Sequence, residues 1–459
     1  MQARMMQEKL RDVRRLIDCL EQDLSEKKLS SAQKVQTLLA LRQHGTNPDN
    51  ADPIYSKDGI ALLVKYGVDG DTPDVRRAAL RCIANALLLK KEMRQILVDT
   101  QCMGRLAEKL KTENSDDEMI VSRILFYTTY DTDLDFGKLL AQHSLAENIH
   151  FQIIRHAKQF PKNGKKTCSP TDELALSDVL KLVFNIGKLH PALADSFIPS
   201  VPYMLKIISR ADIPPQPLDG LIGFLVNALS TLDLTEKSGK FESNTFFPKF
   251  NQNCNVDKLI NVLDTAVRVY KPEDMETRVV PLLHLLITIY EQAPEGPRKY
   301  MEWLLLPEDQ DRSVPIGRSD TLSSKLLVLS TTPSVHLKTT ISELMFVLSG
   351  RNAETLTKNI GYGYAAGFLA SRGMEIPKET SSSSLNPDIN PITGQRWDAG
   401  PQDTGPTMTQ EEKEREAERL FVLFERARAN GFISENPVAQ AVREGRFEEL
   451  PDDAESDLD

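Results

Sequence analysis

The chain has 459 residues, a formal net charge of −10 and a hydrophobic content of 40%. No apolar run reaches the roughly 18 residues that a membrane span needs, and the first segment lacks the apolar core of a signal peptide. We therefore expect a cytoplasmic protein without an integral membrane segment. The five cysteines show no CxxC spacing, which indicates reduced thiols and neither a disulfide framework nor a zinc site.

Charge is distributed unevenly along the chain. Residues 401–459 hold 16 acidic and 7 basic side chains, whereas the first 400 residues are balanced, with 50 acidic and 49 basic ones. No basic stripe with interleaved aromatic residues occurs, so nucleic acid is not an expected partner. The seven histidines form no HxxxH or HExxH spacing and no GxxxxGK[ST] sequence is present. We therefore expect no metal, no cofactor and no nucleotide bound by the chain itself.

A helical pattern begins at the first residues and runs through most of the chain. We predict two helices over residues 1 to about 50, and a longer helix introduced by Asp71-Thr72-Pro73, which is a helix-start signal. Further helices are predicted near 59–66, 93–110, 174–189, 256–270, 276–291, 322–329 and 335–348, with loops at 155–172, 234–255 and 307–319. No sustained period-2 alternation bounded by hairpin turns occurs, so no sheet is expected.

The most informative pattern is a polar row on helices that are otherwise apolar. In Leu174–Leu189 the polar side chains Ser177, Lys181 and Asn185 follow at four-residue spacing, which places them on one helix face. Equivalent positions recur in three other segments, as Arg77, Arg81 and Asn85, as Arg123 and Tyr127, and as Gly223 and Asn227. The last position of each row falls at 85, 127, 185 and 227, in steps of 42, 58 and 42 residues.

A period near 42 residues is typical of armadillo and HEAT solenoids, which have two or three helices in each repeat. The longer step, of 58 residues, includes residues 155–172, a segment with Lys, Pro and Gly that is predicted to be a loop. The predicted fold class is therefore all-α: an armadillo/HEAT-like superhelical solenoid over residues 1–374, with a tethered C-terminal amphipathic helix.

The composition changes at residue 375. Residues 375–408 are rich in Ser, Pro and Gly and are predicted to be a linker or a partner-binding strap. Residues 409–431 begin with a capping box and carry one apolar stripe, which predicts an amphipathic helix. Residues 432–459 are predicted to be an acidic C-terminal tail. The amphipathic helix could cap the solenoid or could reach over a bound partner.

The polar row also has two interpretations. An asparagine on a solenoid helix often only bonds a neighbouring repeat, but several in register beside basic residues form a polar, cationic ladder. Asn can bond a peptide backbone, and Arg or Lys can take a carboxylate, so this ladder suits a helical or extended peptide with an acidic end. The candidate groove residues are Arg77, Arg81, Asn85, Arg123, Lys181, Asn185 and Asn227.

Three segments of the second half resemble the synembryn family, which comprises exchange factors and chaperones for heterotrimeric G-protein α subunits. They are KNIGYGYAAGFLASRGM (Lys358–Met374), INPITGQ (Ile389–Gln395) and MTQEEKEREAERLFVLFERARANG. Upstream, LRCIANAL, SRILFYTTY, VLKLVFNIG and SELMFVLSG resemble that family's armadillo-like helices in the same order. The resemblance covers nearly the whole chain.

This resemblance implies a non-catalytic guanine nucleotide exchange factor and folding chaperone, monomeric and recruited to the plasma membrane or cell cortex through its partner. The partner is a Gα subunit in its GDP-bound, nucleotide-free or nascent form, with its C-terminal helix in the concave groove. The implied contacts with the switch region come from Asn390, Pro391, Ile392, Thr393, Gly394, Leu420, Phe421 and Phe424. The alternative function is a passive armadillo-type scaffold or adaptor that binds another peptide.

One segment departs from the family pattern. Animal members carry an acidic phosphorylation stretch just before the NPxTG sequence, whereas this chain has KETSSSSLNPD there, with no run of acids after the serines. Control by a kinase is therefore not carried over to this chain.

Overall fold

The computed structural model describes residues 2–161, 167–235 and 243–374, together with 389, 390, 394–396, 399, 415, 419, 421, 422, 424, 425 and 443. The chain divides into two compact units, residues 1–398 and 399–459. Within the described residues, the first unit contains 19 α-helices and no extended strand.

The first ten helices form the amino-terminal part of this unit. Their bounds are α1 (Gln2–Glu26), α2 (Ser31–His44), α3 (Lys57–Asp69), α4 (Pro73–Leu89), α5 (Glu92–Asp99), α6 (Met103–Lys109), α7 (Ser115–Tyr127), α8 (Phe136–Gln142), α9 (Leu145–Lys158) and α10 (Pro170–Leu189).

The remaining nine helices follow a 3₁₀ segment, Pro191–Ser200. Their bounds are α11 (Val201–Arg210), α12 (Leu221–Ser230), α13 (Cys254–Val269), α14 (Pro272–Gln292), α15 (Glu295–Leu305), α16 (Leu322–Leu329), α17 (Val335–Leu348), α18 (Ala353–Ile360) and α19 (Tyr362–Ser371).

The helices that carry the polar row begin at strong start signals. The Thr72 hydroxyl accepts a hydrogen bond from the backbone of Val75, directly before the Pro that opens α4. Ser169 and Asp172 form a capping box at the start of α10, in which each side chain bonds the other's backbone N–H. These caps satisfy backbone donors that the first helical turn leaves unpaired, so they fix where each helix starts.

Seven helices form one continuous row in which each packs against the next, in the order α2, α4, α7, α10, α12, α14 and α17. The other helices pack beside this row, and one apolar core extends from Val13 to Leu369. Each helix pair buries its apolar face only against its neighbours, which is the construction of a solenoid. The predicted fold class, an all-α armadillo-like solenoid, is confirmed.

Several predicted elements match the observed ones closely. The helices predicted at 322–329 and 335–348 are α16 and α17. Helix α10 contains all of the predicted Leu174–Leu189 and begins four residues earlier. Most of its central apolar side chains are fully buried, but Phe184 is half-buried, and Leu174 and Leu189 at the two ends are exposed.

Other segments differ from the prediction. The stretch predicted as helical over 93–110 is divided into α5 and α6, because Gln101 adopts a left-handed backbone conformation with φ +58°. The predicted loop at 234–255 carries Phe246 and Phe247, whose rings are buried in the core. The predicted loop at 307–319 contains Asp311, which is also buried. Both loops therefore contribute to the packed structure.

Part of the predicted strap forms a tight turn. Ile389 and Arg396 pair as an isolated antiparallel bridge, and the Gly394 N–H donates to the Asn390 carbonyl at 2.8 Å. Pro391, Ile392, Thr393 and Leu420 lie outside the described residues, as do most of the predicted segments 375–408, 409–431 and 432–459. In the second unit, Phe421 and Phe424 have helical conformation.

Candidate functional site

The residues of the predicted row lie on four helices that are neighbours in the packed series described above, although they are not consecutive in the chain. Helix α4 carries Arg77, Arg81 and Asn85, α7 carries Arg123 and Tyr127, α10 carries Lys181 and Asn185, and α12 carries Asn227. Because these helices pack in this order, the repeat spacing read from the sequence corresponds to neighbouring positions in the structure. We call this set the polar row.

The arginines of α4 bond two acids at the start of α7. Arg77 donates from Nε and Nη2 to the two carboxylate oxygens of Asp117, at 2.6 and 3.0 Å. Arg81 Nη2 donates to Asp116 Oδ1 at 3.0 Å. Both acids lie in the first turn of α7, where the helix dipole favours negative charge. These ion pairs therefore join one repeat to the next.

The same arrangement continues along the row. Arg123 donates from Nε to Asp178 Oδ2 at 2.8 Å, which links α7 to α10. Lys181 donates to the other oxygen of Asp178 at 3.1 Å, and its Nζ lies 4.6 Å from the centroid of the Phe224 ring on α12. The Asp178 side chain is only 5% exposed. Each basic residue of the row thus contacts the following helix.

The polar row is consequently charge-balanced, which corrects its interpretation as a cationic ladder. Its four basic side chains are matched by Asp74, Asp116, Asp117 and Asp178. Spacing within one helix does not reveal these acids, because the acidic partners from the next repeat come 35, 40 and 55 residues later. A search for opposite charges about one repeat downstream would have found them.

The asparagines of the row differ from one another. Asn185 is 4% exposed and donates from Nδ2 to Thr129 Oγ1 at 2.7 Å, so it joins two repeats. Asn85 and Asn227 are half-buried, and within the described part of the chain their side-chain amides make no hydrogen bond. Gly223 takes the place of a basic residue because a Cβ there would lie 2.0 Å from the Leu218 carbonyl oxygen.

Asn85 lines a pocket of about 100 Å³ between α4 and α7. Arg81, Arg123 and Tyr127 from the polar row also line it, and Leu88 is 56% exposed at its edge. Burial raises the pKa of the Tyr127 phenol, so this side chain stays a neutral hydrogen-bonding group at physiological pH. The pocket is also lined by the exposed Arg42, so it combines amide, phenol and guanidinium groups with an exposed apolar side chain, which suits one face of an amphipathic helix.

A second group of ions lies in the interior beside the row. Glu118 of α7 is fully buried, its Oε1 lies 2.9 Å from His156 Nε2, and it accepts a hydrogen bond from Arg155. The sequence prediction placed Arg155 and His156 in a loop, but they lie on α9, which continues to Lys158. This cluster holds α7 against α9 behind the polar row.

Hydrogen bonds to Asp172 complete this inner group. Burial by itself raises the pKa of Asp172, but hydrogen bonds from Ser115 and Ser169 outweigh it and hold the pKa well below its ordinary value. Asp172 thus remains ionised and connects the start of α7 to the start of α10.

Two further observations concern metal binding and membrane crossing. Among them, no group of His, Cys, Asp and Glu side chains is placed to hold a metal ion. Over the same residues, no helix has the length and apolar character needed to cross a membrane. Two larger clefts have volumes of about 620 and 710 Å³. The first lies beside Arg351, and the second, beside Pro214, is also lined by Glu173 of α10 and Leu221 of α12.

Of the residues predicted for the strap and the last helix, four are described. Asn390 and Gly394 belong to the tight turn, and the Gly394 carbonyl accepts a hydrogen bond from Arg312 of the solenoid at 3.0 Å. Phe421 is 41% exposed and Phe424 is half-buried, each in helical conformation. Arg312 lies in a segment that sequence reasoning treated only as a loop.

A helical-repeat solenoid with ion-paired repeats, a pocket of mixed polarity and, among the described residues, two side-chain amides without hydrogen bonds is typical of repeat proteins that bind other proteins. Comparison with known proteins is more specific. The family described as guanine nucleotide exchange factor synembryn, Ric8, matches residues 37–446. The chain therefore belongs to the synembryn family.

The chain is also similar to individual relatives and to solved structures. Chaperone Ric-8A of Macaca fascicularis is 25% identical over 96% of this chain and 89% of its own length. A synembryn-like chaperone of Schizosaccharomyces pombe is 25% identical over 60% of this chain and 56% of its own length. Among solved structures, a designed armadillo repeat protein aligns with 60% of this chain and 98% of its own, at 12% identity and a TM-score of 0.38.

Proposed function

We propose that this chain is an exchange factor and folding chaperone for G-protein α subunits, which accelerates GDP release without binding nucleotide itself. The C-terminal helix of Gα lies on the face formed by α4, α7, α10 and α12. Membership in a family of exchange factors and similarity to proteins named chaperones support this function. The structural observation that carries it is the pocket at Asn85, whose amide has no hydrogen bond within the described residues.

The Arg81–Asp116 ion pair fits such a partner because it is easily exchanged. The Arg81 and Asp116 side chains are 32% and 44% exposed, and a pair this exposed contributes about 0–1 kcal/mol. A carboxylate of the partner helix can therefore replace Asp116 on Arg81 at little cost. Asn85 and Asn227 supply both hydrogen-bond donors and acceptors to the same ligand.

Nucleotide exchange then follows from linkage. A protein that binds nucleotide-free Gα more tightly than the GDP-bound form must weaken GDP binding by the same factor. No side chain of this chain has to make or break a covalent bond. The same preference would stabilise nascent Gα before its first nucleotide enters, which is the chaperone activity.

A second contact completes the proposed mechanism. The groove grips only the end of Gα, so we assign contact with the switch region to the strap and the last helix. The residues concerned are Asn390, Pro391, Ile392, Thr393, Gly394, Leu420, Phe421 and Phe424. The double change Phe421→Ala and Phe424→Ala should then slow GDP release while leaving capture of the Gα C-terminus intact.

The groove assignment can be tested with a fluorescent peptide that has the C-terminal sequence of Gα. Arg81→Glu should weaken peptide binding by about 1–3 kcal/mol. The change removes a charge-assisted contact and adds a third acid beside Asp116 and Asp117. Arg105→Glu is the control, since Arg105 forms an exposed pair with Asp69 on α6 and α3, two helices that carry no residue of the polar row. Equal affinities for both variants would place the groove elsewhere, and saturable binding of GDP by the chain alone would refute the mechanism.

A further inference from the structure

Arg312 is a buried arginine whose guanidinium, within the part of the chain that the structure describes, donates its hydrogen bonds to main-chain carbonyls of other segments. It lies between α15 and α16 and is 7% exposed. Its Nη2 donates to the Asn359 carbonyl at 2.9 Å and to the Lys358 carbonyl at 3.3 Å, and its Nη1 donates to the Gly394 carbonyl at 3.0 Å. One guanidinium therefore joins the end of α18 to the strap turn.

The position of these acceptors explains how a buried cation is tolerated. Lys358 and Asn359 lie in the last turn of α18, where carbonyls lack helical partners and carry the negative end of the helix dipole. The rigid fork of a guanidinium can donate to several such oxygens at once, whereas a lysine ammonium is a single point of charge. Arg312 thus satisfies carbonyls of α18 and still has a donor for Gly394.

The strap is also held by the backbone of the same loop. The Arg396 N–H donates to the Arg312 carbonyl at 2.9 Å, and Gln395 Nε2 donates to the Ser313 carbonyl at 3.3 Å. Together with the bond to Gly394, these contacts secure three consecutive strap residues, 394–396. The turn is therefore attached to the solenoid by the side chain of Arg312 and by the backbone carbonyls of Arg312 and Ser313.

Gly394 fits this attachment for a steric reason. Its φ is +67°, a conformation that L side chains rarely adopt, and a Cβ there would lie 2.2 Å from Ile316 Cδ1. The glycine of the Asn-Pro-Ile-Thr-Gly sequence consequently lets the turn close and lets it approach the loop. This steric requirement gives the motif a structural role of its own.

The loop that presents Arg312 is itself fixed. Asp311 is 2% exposed and accepts hydrogen bonds from Thr321 at 2.7 Å and from Ser323 at 3.1 Å. These hydroxyls belong to the start of α16 and the residue before it, so the loop is bonded to a helix of the solenoid. Arg312 is therefore already oriented by its neighbour in sequence.

We propose that Arg312 is a positioning residue for nucleotide exchange, which fixes the strap turn to the solenoid as the origin of the C-terminal helix. This inference rests on the proposed function. Arg396 is 19 residues from Arg415, the first described helical residue of the second unit, whereas Met374 is 41 residues away. At about 3.5 Å per residue, fixing the turn limits the reach to roughly 65 Å instead of roughly 140 Å.

A shorter reach raises the effective concentration of the helix at bound Gα, because the intramolecular contact depends on tether length. It also restricts where the helix can act. Arg312 would therefore influence the rate of GDP release without touching the peptide that the groove captures. This separation of two readouts distinguishes positioning from a merely structural role.

The test uses the full chain with the changes Arg312→Ala, Arg312→Lys and Gly394→Ala. Gly350→Ala is the matched control, since Gly350 has φ +66° with open space around its Cβ position and lies outside the strap. Each variant is measured for melting temperature, affinity for the Gα C-terminal peptide, GDP release, and hydrogen exchange at the Gly394 and Arg396 amides.

We expect Arg312→Ala and Gly394→Ala to lose protection at the Arg396 amide and to slow GDP release about ten- to a hundredfold. Peptide affinity should stay within about twofold, Arg312→Lys should recover part of the rate, and Gly350→Ala should release GDP at the wild-type rate. If Arg312→Ala does not fold, Gly394→Ala still decides the question.

Lost protection with an unchanged release rate would overturn the proposal. A parallel fall in peptide affinity and release rate would overturn it too, since that result means general damage to the fold. Failure of the proposed function looks different, because the wild-type chain itself would then bind the peptide without releasing GDP.

Discussion

Three successive acids at the start of α7, Asp116, Asp117 and Glu118, lie in two different environments. Asp116 and Asp117 are partly exposed and reach back to the arginines of α4. Glu118, the next residue, is fully buried and reaches Arg155 and His156 on α9. A rotation of about 100° per residue is enough to move a carboxylate from the polar row to the interior.

The comparison shows that burial, more than the number of ion pairs, decides what each acid does. An exposed pair contributes about 0–1 kcal/mol and is easily exchanged for another ligand. Removing one partner from a buried pair costs about 3–5 kcal/mol, because an uncompensated charge remains in the interior. The outer acids are therefore suited to a binding surface, and the inner one to joining repeats.

The largest expected effect comes from the inner group. Glu118→Ala should lower the free energy of unfolding by about 3–5 kcal/mol, because Arg155 and His156 lose their buried anion. Urea denaturation followed by circular dichroism measures this loss. The adjacent change Asp117→Ala is the control and should cost about 1 kcal/mol or less. Similar losses for the two variants would remove the distinction between the two environments.

An intermediate effect is expected for Arg123→Ala. Asp178 is nearly buried and, among the described residues, would keep only Lys181 as an ion-pair partner, so we expect a loss of about 1–3 kcal/mol in the free energy of unfolding. Arg105→Ala, which breaks a pair between two exposed side chains, is the matched comparison. A smaller loss for Arg123→Ala than for Arg105→Ala would contradict the importance of burial.

The smallest expected effect is a change in the pH dependence of stability. The pKa of Asp172 is lower in the folded chain than its ordinary value of about 3.9. Its contribution to stability is therefore complete above that value and is lost as the pH falls through the lower, folded-state pKa. Asp172→Asn should flatten the fall in melting temperature as the pH is lowered below about 4. An unchanged slope would show that Asp172 titrates normally.

Much of the fold could be predicted from the sequence because helical periodicity is local. The row positions and the bounds of α16 and α17 depend on spacing within one helix, and such spacing can be read directly from the amino-acid sequence. The row partners could not be found in that way. Asp116 and Asp178 become neighbours of Arg81 and Arg123 only when consecutive repeats pack.

The strap illustrates a second limit. Composition predicts a polar linker at Gly394, since nothing in the sequence distinguishes a tether from a turn held by a distant residue. The donor is Arg312, 82 residues earlier, in a loop with no helical pattern of its own. Asp309 and Asp311 lie beside Arg312 in the sequence, but its side chain donates to distant carbonyls, so charge patterning does not reveal its role.

The measurement that tests the central claim most directly is the release of fluorescent GDP from Gα. The full chain should accelerate release in a saturable manner, and an excess of the Gα C-terminal peptide should abolish the acceleration by occupying the α4–α12 face. Acceleration that persists at saturating peptide would contradict the groove assignment. Binding of Gα with no change in release would contradict the exchange function itself.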